Sequence, residues 1–330
     1  MTSPAVSVAM SVYNGERFLV AAIESVLAQT MGDFEFLILD DGSRDRSRAI
    51  AQSYAARDPR IRVIARDNRG LVISLNQLLD EARAPLIARM DADDICMPDR
   101  FARQIAFLAE HSDHGVVGSR TSDIDEFGRP YPLASGEHPE AHAQLVHNIA
   151  HGGPLLAHPA VMFRRDVVLA VGGYHQAFRH CEDYDLWLRL AGRTRIANLP
   201  ERLVRYRHYA DQVSSRHALE QQVGVAISWM AWQERTAGRP DPTERLLALP
   251  PIADLDALFG RAGVASEVRG RVARALVYSH SALREGGFEM LLEHISEGGR
   301  GAELWRTVVR LARFGEPRRA LQLAAALARG

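Results

Sequence analysis

Four aspartates lie close together in the segment ARMDADDICMPDR (88–100), at Asp91, Asp93, Asp94 and Asp99. Like charges this close raise one another's pKa unless a cation or a set of hydrogen-bond donors compensates them. At the end of an extended strand, side chains two positions apart point to the same side, as Asp91 and Asp93 would. Two carboxylates on one side form an oxygen-donor pair suited to Mg²⁺ or Mn²⁺, ions that also bind the phosphate oxygens of a substrate. We therefore expect Asp91 and Asp93 to hold a divalent cation, and Asp94 and Asp99 to support the loop and the helix after it.

A second group of carboxylates occurs in HCEDYDLWLRL (180–190), where Glu182, Asp183 and Asp185 stand at the start of a predicted amphipathic helix (183–191). Acidic residues are common in the first turn of a helix, because the helix dipole stabilises negative charge there. An aspartate at this position can also act as a general base that removes the proton of an attacking hydroxyl group. The residues by themselves leave both interpretations open.

The composition narrows the class of protein. The chain has 330 residues, of which 40 are arginine and none is lysine, and its net charge is −1. Schiff-base chemistry through a lysine is therefore excluded, and the charge indicates no nucleic-acid partner. The two cysteines, Cys96 and Cys181, make no disulfide framework and no zinc site, and they fit a reduced, cytosolic compartment. No signal peptide is recognisable and no segment reaches the ~20 apolar residues of a membrane span, so we expect a protein that is soluble or bound at most to a membrane surface.

The first hundred residues alternate between strand-like and helical patterns. Strands are predicted at 5–13, 34–41, 60–67 and 85–94, and helices at 17–30, 43–57 (with Ser43 as the N-cap) and 71–82. This alternation is typical of a three-layer α/β domain with a Rossmann-like, mostly parallel sheet. Ligands of such sheets bind at the carboxyl ends of the strands, where the loops that lead into the helices gather.

Polar residues follow each predicted strand. They are Ser11, Tyr13 and Asn14 after the first strand, Asp40 to Ser43 after the second, Asp67, Asn68 and Gly70 after the third, and the aspartates after the fourth. Turn formation explains any one of these loops equally well, but four at one edge of a sheet indicate a ligand-binding crevice. There, Asp41 could accept a hydrogen bond from uracil or thymine N3–H or from ribose hydroxyls, and Tyr13 could stack on a base. The glycine-rich signatures of dinucleotide-binding and P-loop proteins are absent.

The remainder of the sequence divides into two parts. Up to about residue 215 strands and helices continue, with a Pro-, His- and Gly-rich stretch (131–157) predicted as an irregular loop and 195–209 as two short strands. Helical patterns then dominate, so we expect a first domain at 1–215 and an α-helical C-terminal region at 216–330. The tail after residue 299 carries seven arginines against two glutamates. It is either a helical cap with a solvated basic face or a contact with anionic lipid.

In their order, these motifs resemble the inverting glycosyltransferases of family 2, which have the GT-A fold. The matching segments are VSVAMSVYNGERFLVAAIESVLAQT, LILDDGSRDRS, NRGLVISLNQLLDEARAPLIARMDADD with MPDR, HPAVMFRRDVVLAVGGY and EDYDLWLRLAGRTRIANLPERLVRYR. The resemblance implies transfer of a sugar from a nucleotide diphosphate donor, a UDP-sugar in the first place, to an acceptor hydroxyl with inversion at the anomeric carbon. It also implies Mn²⁺ or Mg²⁺ as cofactor and a glycan or lipid-linked acceptor of the bacterial surface-polysaccharide type.

This type of enzyme is expected in the cytoplasm or on the inner face of the cytoplasmic membrane. The C-terminal region (216–330) would then make contacts to the acceptor, to the membrane surface or to another copy of the chain. Two alternatives stay open, a sugar-phosphate nucleotidyltransferase and a non-catalytic nucleotide-sugar-binding protein. The first usually needs a basic glycine-rich loop after the first strand, and the second has no need of a catalytic base.

The family's donor-binding residues correspond to positions of this sequence. Tyr13 and Asp41 match the residues that contact the nucleobase and the nucleoside, and Ser11 and Asn68 are expected in the same nucleotide-sugar site. Asp91 matches the member of the D-x-D pair that lies nearer to the ribose while also contributing to the metal site.

The remaining matches concern the metal and the chemical step. Asp93 matches the closer metal ligand, and Asp183, in the pair with Glu182, matches the catalytic base. One departure concerns the motif Tyr-Arg-x-His, for which this chain has Tyr-Arg-His-Tyr (206–209), so that a tyrosine stands at the expected histidine position. His158 is either a further site residue or a structural histidine.

Overall fold

The computed structural model describes residues 3–131, 138–209, 212, 217–277 and 283–329, without the side chains at positions 284 and 285. These residues form two compact units. The first unit contains the residues up to His175 together with Glu182–Tyr209, and the second contains Gln176–Cys181 together with the described residues after 209.

The first unit is built on a sheet whose described strands lie in the order β3-β2-β1-β4-β7-β6-β8-β5. The strands are β1 (Val6–Val12), β2 (Phe34–Asp40), β3 (Ile61–Ala65), β4 (Leu86–Asp91), β5 (Ile95–Cys96), β6 (His114–Ile124), β7 (Met162–Arg164) and β8 (Arg195–Arg207). The strands β1 to β4 run parallel to one another, as do β6 and β8, while β5 and β7 are antiparallel to their neighbours. The predicted mostly parallel α/β sheet is confirmed.

The register of the central strands positions the loops that follow them. All seven residues of β2 are buried, as is typical of a parallel strand covered on both faces. Ser11 of β1 pairs with Leu39 of β2 on one side and with Asp91 of β4 on the other. Because the carboxyl ends of these strands are aligned, the loops after them meet at one edge of the sheet.

The helices of the first unit connect these strands. They are α1 (Glu16–Leu27), α2 (Ser47–Ala55), α3 (Leu71–Glu81), α4 (Arg100–Glu110), α5 (His142–His151), α6 (Arg165–Ala170) and α7 (Glu182–Leu190). Their apolar faces have helical spacing, and α1 buries Leu19, Ile23 and Val26. The predicted N-cap at Ser43 is wrong, because α2 begins at Ser47 and Ser43 Oγ instead accepts a hydrogen bond from the backbone N–H of Asn14.

The stretch 131–157 contains a helix rather than only an irregular loop. Leu145 and Ile149 are buried one turn apart in α5, and Gly152 ends the helix with a left-handed φ of 79°. The richness in Pro, His and Gly obscured this apolar periodicity. Positions 132–137 of the predicted loop lie outside the described residues.

The stretch 195–209 contains one strand, β8, where two were predicted. Its parallel pairing with β6 continues past Pro200, because the register shifts there: Ser119 pairs with Leu199, and the next residue of β6 pairs with Arg202. An irregularity of this kind lets a strand pass over a proline, which cannot donate a ladder hydrogen bond.

The second unit is helical in its described residues, which confirms the helical character predicted for the C-terminal region. Its helices are α8 (Ala218–Thr236), α9 (Leu255–Phe259), α10 (Val264–Leu276), α11 (Phe288–Ser296), α12 (Ala302–Arg313) and α13 (Pro317–Arg329). The helix α12 buries Leu304, Thr307 and Leu311 along one side. Among the described residues, no helix combines the length and the apolar character that crossing a membrane requires.

Candidate active site

The loop after β4 carries the aspartates that the sequence singles out. Asp91 ends the strand, Asp93 and Asp94 follow it, and one carboxylate oxygen of each lies within 4.8 Å of the other two. Burial, and next the charge of Asp91, raises the pKa of Asp93 to about 6. Burial, and next the charge of Asp93, raises the pKa of Asp94 well above its ordinary value. The structure therefore brings the predicted pair, Asp91 and Asp93, together. The surroundings stabilise a second negative charge on this loop poorly, as the raised pKa of Asp93 indicates.

A buried arginine supplies part of the compensating charge. Arg89 lies in β4, is 4% exposed and donates a hydrogen bond through Nη1 to Asp91 Oδ2. Its Nε has no hydrogen-bond partner among the described residues. Its positive charge also counteracts the raised pKa of four further carboxyls, Asp93, Asp94, Glu182 and Asp183. The charge of Arg89 therefore acts on both carboxylate groups and couples them electrostatically.

Arg89 was not among the predicted site residues, although the sequence contains a signal for it. Arg89 and Asp91 stand two positions apart in a strand, so their side chains point to the same side. A cation next to an aspartate cluster is also the simplest answer to the crowding of its charges.

The oxygen donors of this loop fit a hard divalent cation. The three aspartates offer carboxylate oxygens, the ligand type that Mg²⁺ and Mn²⁺ prefer. Asp94 Oδ1 accepts a hydrogen bond from the backbone N–H of Arg207 at 2.8 Å, while its buried Oδ2 has no partner within the described part of the chain. An unpartnered buried carboxylate oxygen is costly, and a bound cation would satisfy it.

The residues directly after β8 contact the loop that carries the aspartates. Tyr209 donates its hydroxyl hydrogen to Asp93 Oδ2 at 2.9 Å. His208 Nε2 instead lies 2.8 Å from Asp123 Oδ1, and its ring stacks on Tyr131. The tyrosine at the expected histidine position therefore contacts the candidate metal ligand, whereas His208 is bound to a different carboxylate.

Asp41, expected to contact the nucleoside, holds the loop after β3. It is 2% exposed, and its two oxygens accept hydrogen bonds from the backbone N–H groups of Arg69 at 3.0 Å and Gly70 at 2.8 Å. The guanidinium of Arg66 forms an ion pair with it at 2.9 Å. Asp41 thus fixes the loop after β3, and any contact that it makes with a ligand would be additional to these bonds.

The other predicted donor residues lie at the same edge of the sheet. Ser11 is half-buried between β2 and β4, the Tyr13 side chain is 50% exposed, and Asn68 is exposed. The loops after β2 and β3 approach closely at Gly42, where φ is 79° and a Cβ would lie 2.6 Å from the backbone N of Asn68. Only glycine fits this position, and its small size lets the loops after β2 and β3 pack against each other.

The second carboxylate group opens α7. Glu182 is 5% exposed and its Oε2 has no hydrogen-bond partner among the described residues. Burial, and next the charge of Asp183, raises the pKa of Glu182 to about 8. Burial also raises the pKa of Asp183, whose Oδ1 accepts a hydrogen bond from the backbone N–H of Tyr184 at 2.7 Å. Two adjacent carboxyls do not readily ionise together, so the Glu182–Asp183 pair favours a single negative charge.

The third acidic residue of this helix, Asp185, and the buried His158 both have side-chain partners within the first unit. Asp185 is buried in an ion pair with Arg189 at 2.8 Å. His158 is 7% exposed, and its Nε2 lies 2.8 Å from the hydroxyl of Tyr174. Burial, and next the charge of Arg89, lowers the pKa of His158 well below its usual range, so its ring is neutral and fixed.

Sequence comparisons agree with this geometry. Residues 7–172 match the family model described as Glycosyl transferase family 2. The chain is 37% identical over 220 residues to EpsE of Bacillus subtilis (strain 168), which is named as a glycosyltransferase; the match covers 65% of this chain and 77% of EpsE. It is 34% identical over 218 residues to the amylovoran biosynthesis glycosyltransferase AmsE of Erwinia amylovora, covering 64% of this chain and 79% of AmsE.

Solved structures with a similar fold extend over nearly the whole chain. S. aureus TarS 1-349 in complex with UDP-GlcNAc has a TM-score of 0.59 at 16% identity, covering 98% of this chain and 92% of that one. The mannosyltransferase PcManGT from Pyrobaculum calidifontis, in complex with GDP-Man and Mn²⁺, has a TM-score of 0.55 at 16% identity, covering 99% and 86%. The likeness confirms the GT-A fold that the motifs predicted. Together with the family match over half of the sequence, it leads to one assignment: the chain belongs to glycosyl transferase family 2 and is a glycosyltransferase.

Proposed function

We propose that this glycosyltransferase moves a sugar from a nucleotide diphosphate donor, a UDP-sugar in the first place, to an acceptor hydroxyl with inversion at the anomeric carbon. The observation that carries the proposal is that two carboxylate sets interact electrostatically with one buried cation, Arg89, which is hydrogen-bonded to Asp91. The positive charge of Arg89 acts to lower the pKa of Asp93 after β4 and the pKa values of Glu182 and Asp183. A displacement reaction needs such a pair of groups, a base on one side of the sugar and charge stabilisation of the leaving group on the other.

The donor site we propose lies at the carboxyl ends of β1 to β4. The half-exposed ring of Tyr13 offers a face for a base, and Ser11, Asp41, Asn68 and Asp91 provide polar groups around it. Carboxylate oxygens have more than one lone pair, so Asp41 can accept from a nucleoside while it holds the loop after β3. The complex of TarS with UDP-GlcNAc and that of PcManGT with GDP-Man support a nucleotide sugar as ligand of this fold.

The cation we propose is Mn²⁺ or Mg²⁺, held by Asp93 and Asp91. When bound, it supplies positive charge that offsets the diphosphate as it leaves. The oxygen-only donor set of the aspartate loop supports this choice, as does the Mn²⁺ in the PcManGT complex.

For the chemical step we propose Asp183 as the general base. Its carboxylate takes the proton of the acceptor hydroxyl while the oxygen of that hydroxyl attacks the anomeric carbon from the side opposite the diphosphate. Neutral Glu182 next to it keeps the pair at a single negative charge, and the peptide N–H of Tyr184 orients Asp183 Oδ1. Arg89 holds Asp91 in place.

The acceptor we propose is a glycan or lipid-linked glycan of polysaccharide biosynthesis, in keeping with the name of AmsE. We assign donor binding and catalysis to residues 1–215 and contacts to acceptor, membrane surface or other copies to residues 216–330. The helix α12 supports a membrane contact. It exposes Trp305 (49%) and Val309 (52%), and Phe314 directly after it is 43% exposed. Apolar and aromatic side chains beside the arginines of this tail are the combination that binds anionic lipid surfaces.

Asp183→Asn tests the proposal. Donor binding, measured by calorimetry with UDP-sugars and Mn²⁺, is expected to persist, while transfer to acceptor slows by about 10²–10⁴-fold, the usual range for a general base. Asp166→Asn is the matched control, because Asp166 also stands in the first turn of a helix and accepts a hydrogen bond from the next backbone N–H, at 2.9 Å. A near wild-type transfer rate in Asp183→Asn would rule out this base.

A further inference from the structure

A second group of metal-ligand side chains lies in the second unit. The carboxylate Oε2 of Glu220 is 3.6 Å from His180 Nε2 and 3.5 Å from His217 Nδ1. One ligand atom of each residue lies within 4.8 Å of the other two. We propose that His180, His217 and Glu220 form a binding site for a divalent transition-metal ion of the Zn²⁺ class, separate from the aspartate site of the first unit.

The chemistry of the three ligands differs from that of the aspartate loop. Imidazole nitrogens suit Zn²⁺ and its neighbours in the first transition row, whereas carboxylates alone suit Mg²⁺ and Mn²⁺. Metal–ligand bonds of about 2.0–2.2 Å place neighbouring ligand atoms of a tetrahedral site about 3.3–3.6 Å apart. The two nitrogen–oxygen distances at Glu220 are of this size. Three protein ligands leave a fourth position for water or another donor.

The backbone around the three residues is arranged to hold them together. Gln221 Nε2 donates a hydrogen bond to the carbonyl oxygen of His180 at 2.8 Å. A Cβ at Gly224 would overlap with Cys181 Sγ. Glycine at this position therefore lets the chain at His180 and Cys181 lie close to α8. His217, the N-cap of α8, and residues 220, 221 and 224 have the i, i+3, i+4 and i+7 spacing of one helix face.

His180 itself has an uncommon backbone conformation, with φ at 64°, that turns the segment toward this face.

Metal binding requires one ring to turn. The rings of His180 and His217 are stacked with centroids 4.0 Å apart and an interplanar angle of 9°, so their nitrogen lone pairs run parallel rather than converging. The second side-chain torsion of histidine is broad, and a rotation about it exchanges ring stacking for coordination at modest cost.

The position of the site in the chain gives it a structural consequence. The segment Gln176–Cys181 runs directly into α7, which opens with Glu182 and Asp183. An ion bound at His180 would restrict the residues immediately before the candidate base. Neither the site nor its test depends on the proposed transfer reaction.

The test counts Zn²⁺ equivalents on the full chain by calorimetry and native mass spectrometry. The parent for all variants carries His147→Ala and His151→Ala, because these two residues stand four positions apart on α5 and could bind Zn²⁺ themselves. We expect the parent to bind one equivalent whose affinity falls at least about tenfold in Glu220→Gln and in His217→Ala. His180→Asn, which retains a residue tolerant of left-handed φ, should behave in the same way.

Two controls separate the Zn²⁺ bound at this site from Zn²⁺ bound elsewhere on the chain. The bound equivalent should persist in Asp93→Ala, which removes the proposed ligand of the first unit. It should also persist in Glu289→Gln, which changes an exposed glutamate of α11. Unchanged Zn²⁺ stoichiometry and affinity in Glu220→Gln and His217→Ala would overturn the proposal. If a variant fails to fold, as judged by circular dichroism, the test is the visible absorption of Co²⁺ bound to the folded parent. A tetrahedral Co²⁺ spectrum that persists in Asp93→Ala supports the site, and the absence of such a spectrum refutes it.

Discussion

Tyr209 donates its hydroxyl hydrogen to Asp93 Oδ2 at 2.9 Å, across 116 positions of the sequence. Members of the family often carry a histidine where this chain has Tyr209, and the neighbouring His208 is bound to Asp123. A neutral phenol therefore takes the place beside the candidate metal ligand. Unlike a histidine, it does not change its charge near neutral pH, so its contribution to Asp93 is constant over the physiological range.

The first prediction follows from this hydrogen bond. Burial and the charge of Asp91 raise the pKa of Asp93 to about 6, and the hydroxyl of Tyr209 acts in the opposite direction. In Tyr209→Phe the pKa of Asp93 should rise further. Because a metal binds the ionised carboxylate, the pH midpoint of Mn²⁺ binding should move upward, measured by calorimetry across a pH series. Tyr131→Phe is the control, since Tyr131 stacks on His208 instead; equal midpoints in Tyr209→Phe and wild type would contradict the prediction.

The second prediction concerns the buried Arg89. Arg89→Met removes the buried partner of Asp91, whose own side chain is 30% exposed, so the free energy of unfolding should fall by less than the roughly 3–5 kcal/mol typical of a fully buried pair. Urea unfolding measures the loss. In the double variant Arg89→Met/Asp91→Asn the carboxylate charge is gone as well, and part of the stability should return. The single variant Asp91→Asn completes the cycle. If the loss of stability in the double variant equalled the sum of the losses in the two single variants, the two side chains would be energetically independent and the prediction would fail.

The third prediction is a pH dependence of stability. Burial and the charge of Asp183 raise the pKa of Glu182 to about 8, against about 4.3 for a glutamate in an unfolded chain. Between these values the folded state binds more protons than the unfolded state, so this residue makes the protein less stable as the pH rises. The Tm of Glu182→Gln relative to wild type should therefore increase with pH across this window, in thermal unfolding with chelator present. Glu289→Gln should run parallel to wild type, and parallel behaviour of Glu182→Gln would refute the pKa assignment.

The fourth prediction concerns the exposed face of α12. Trp305→Ala should weaken sedimentation of the protein with vesicles that contain phosphatidylglycerol, because burying an aromatic ring contributes to interfacial binding. Binding to neutral phosphatidylcholine vesicles should be weak for both proteins, and salt should reduce the anionic interaction. Leu247→Ala is the matched control, since Leu247 is 72% exposed outside this tail. Equal binding of Trp305→Ala and wild type to anionic vesicles would rule out this contact.

Much of the architecture could be predicted because it is encoded locally. Apolar runs and helical spacing report which residues are buried, and they located the four parallel strands and the helices between them to within a few residues. The misjudged elements are those in which two local signals compete. In α5 the Pro, His and Gly content hid the apolar spacing of Leu145 and Ile149, and at 195–209 a register shift lets one strand continue past Pro200 where two short strands were predicted.

By itself, the sequence determined the kinds of groups at the candidate site. The carboxylates at Asp91 and Asp93, and the polar loops at the strand ends, follow from residue types and from the rule that parallel strands end together, whereas the resemblance to the family singled out Asp183. Which partners those groups have was decided by the tertiary structure. That Arg89 is buried against Asp91 and that Tyr209 reaches Asp93 depends on how distant strands are packed. Burial and long-range contacts set charge compensation and pKa, and no spacing along the chain records either of them.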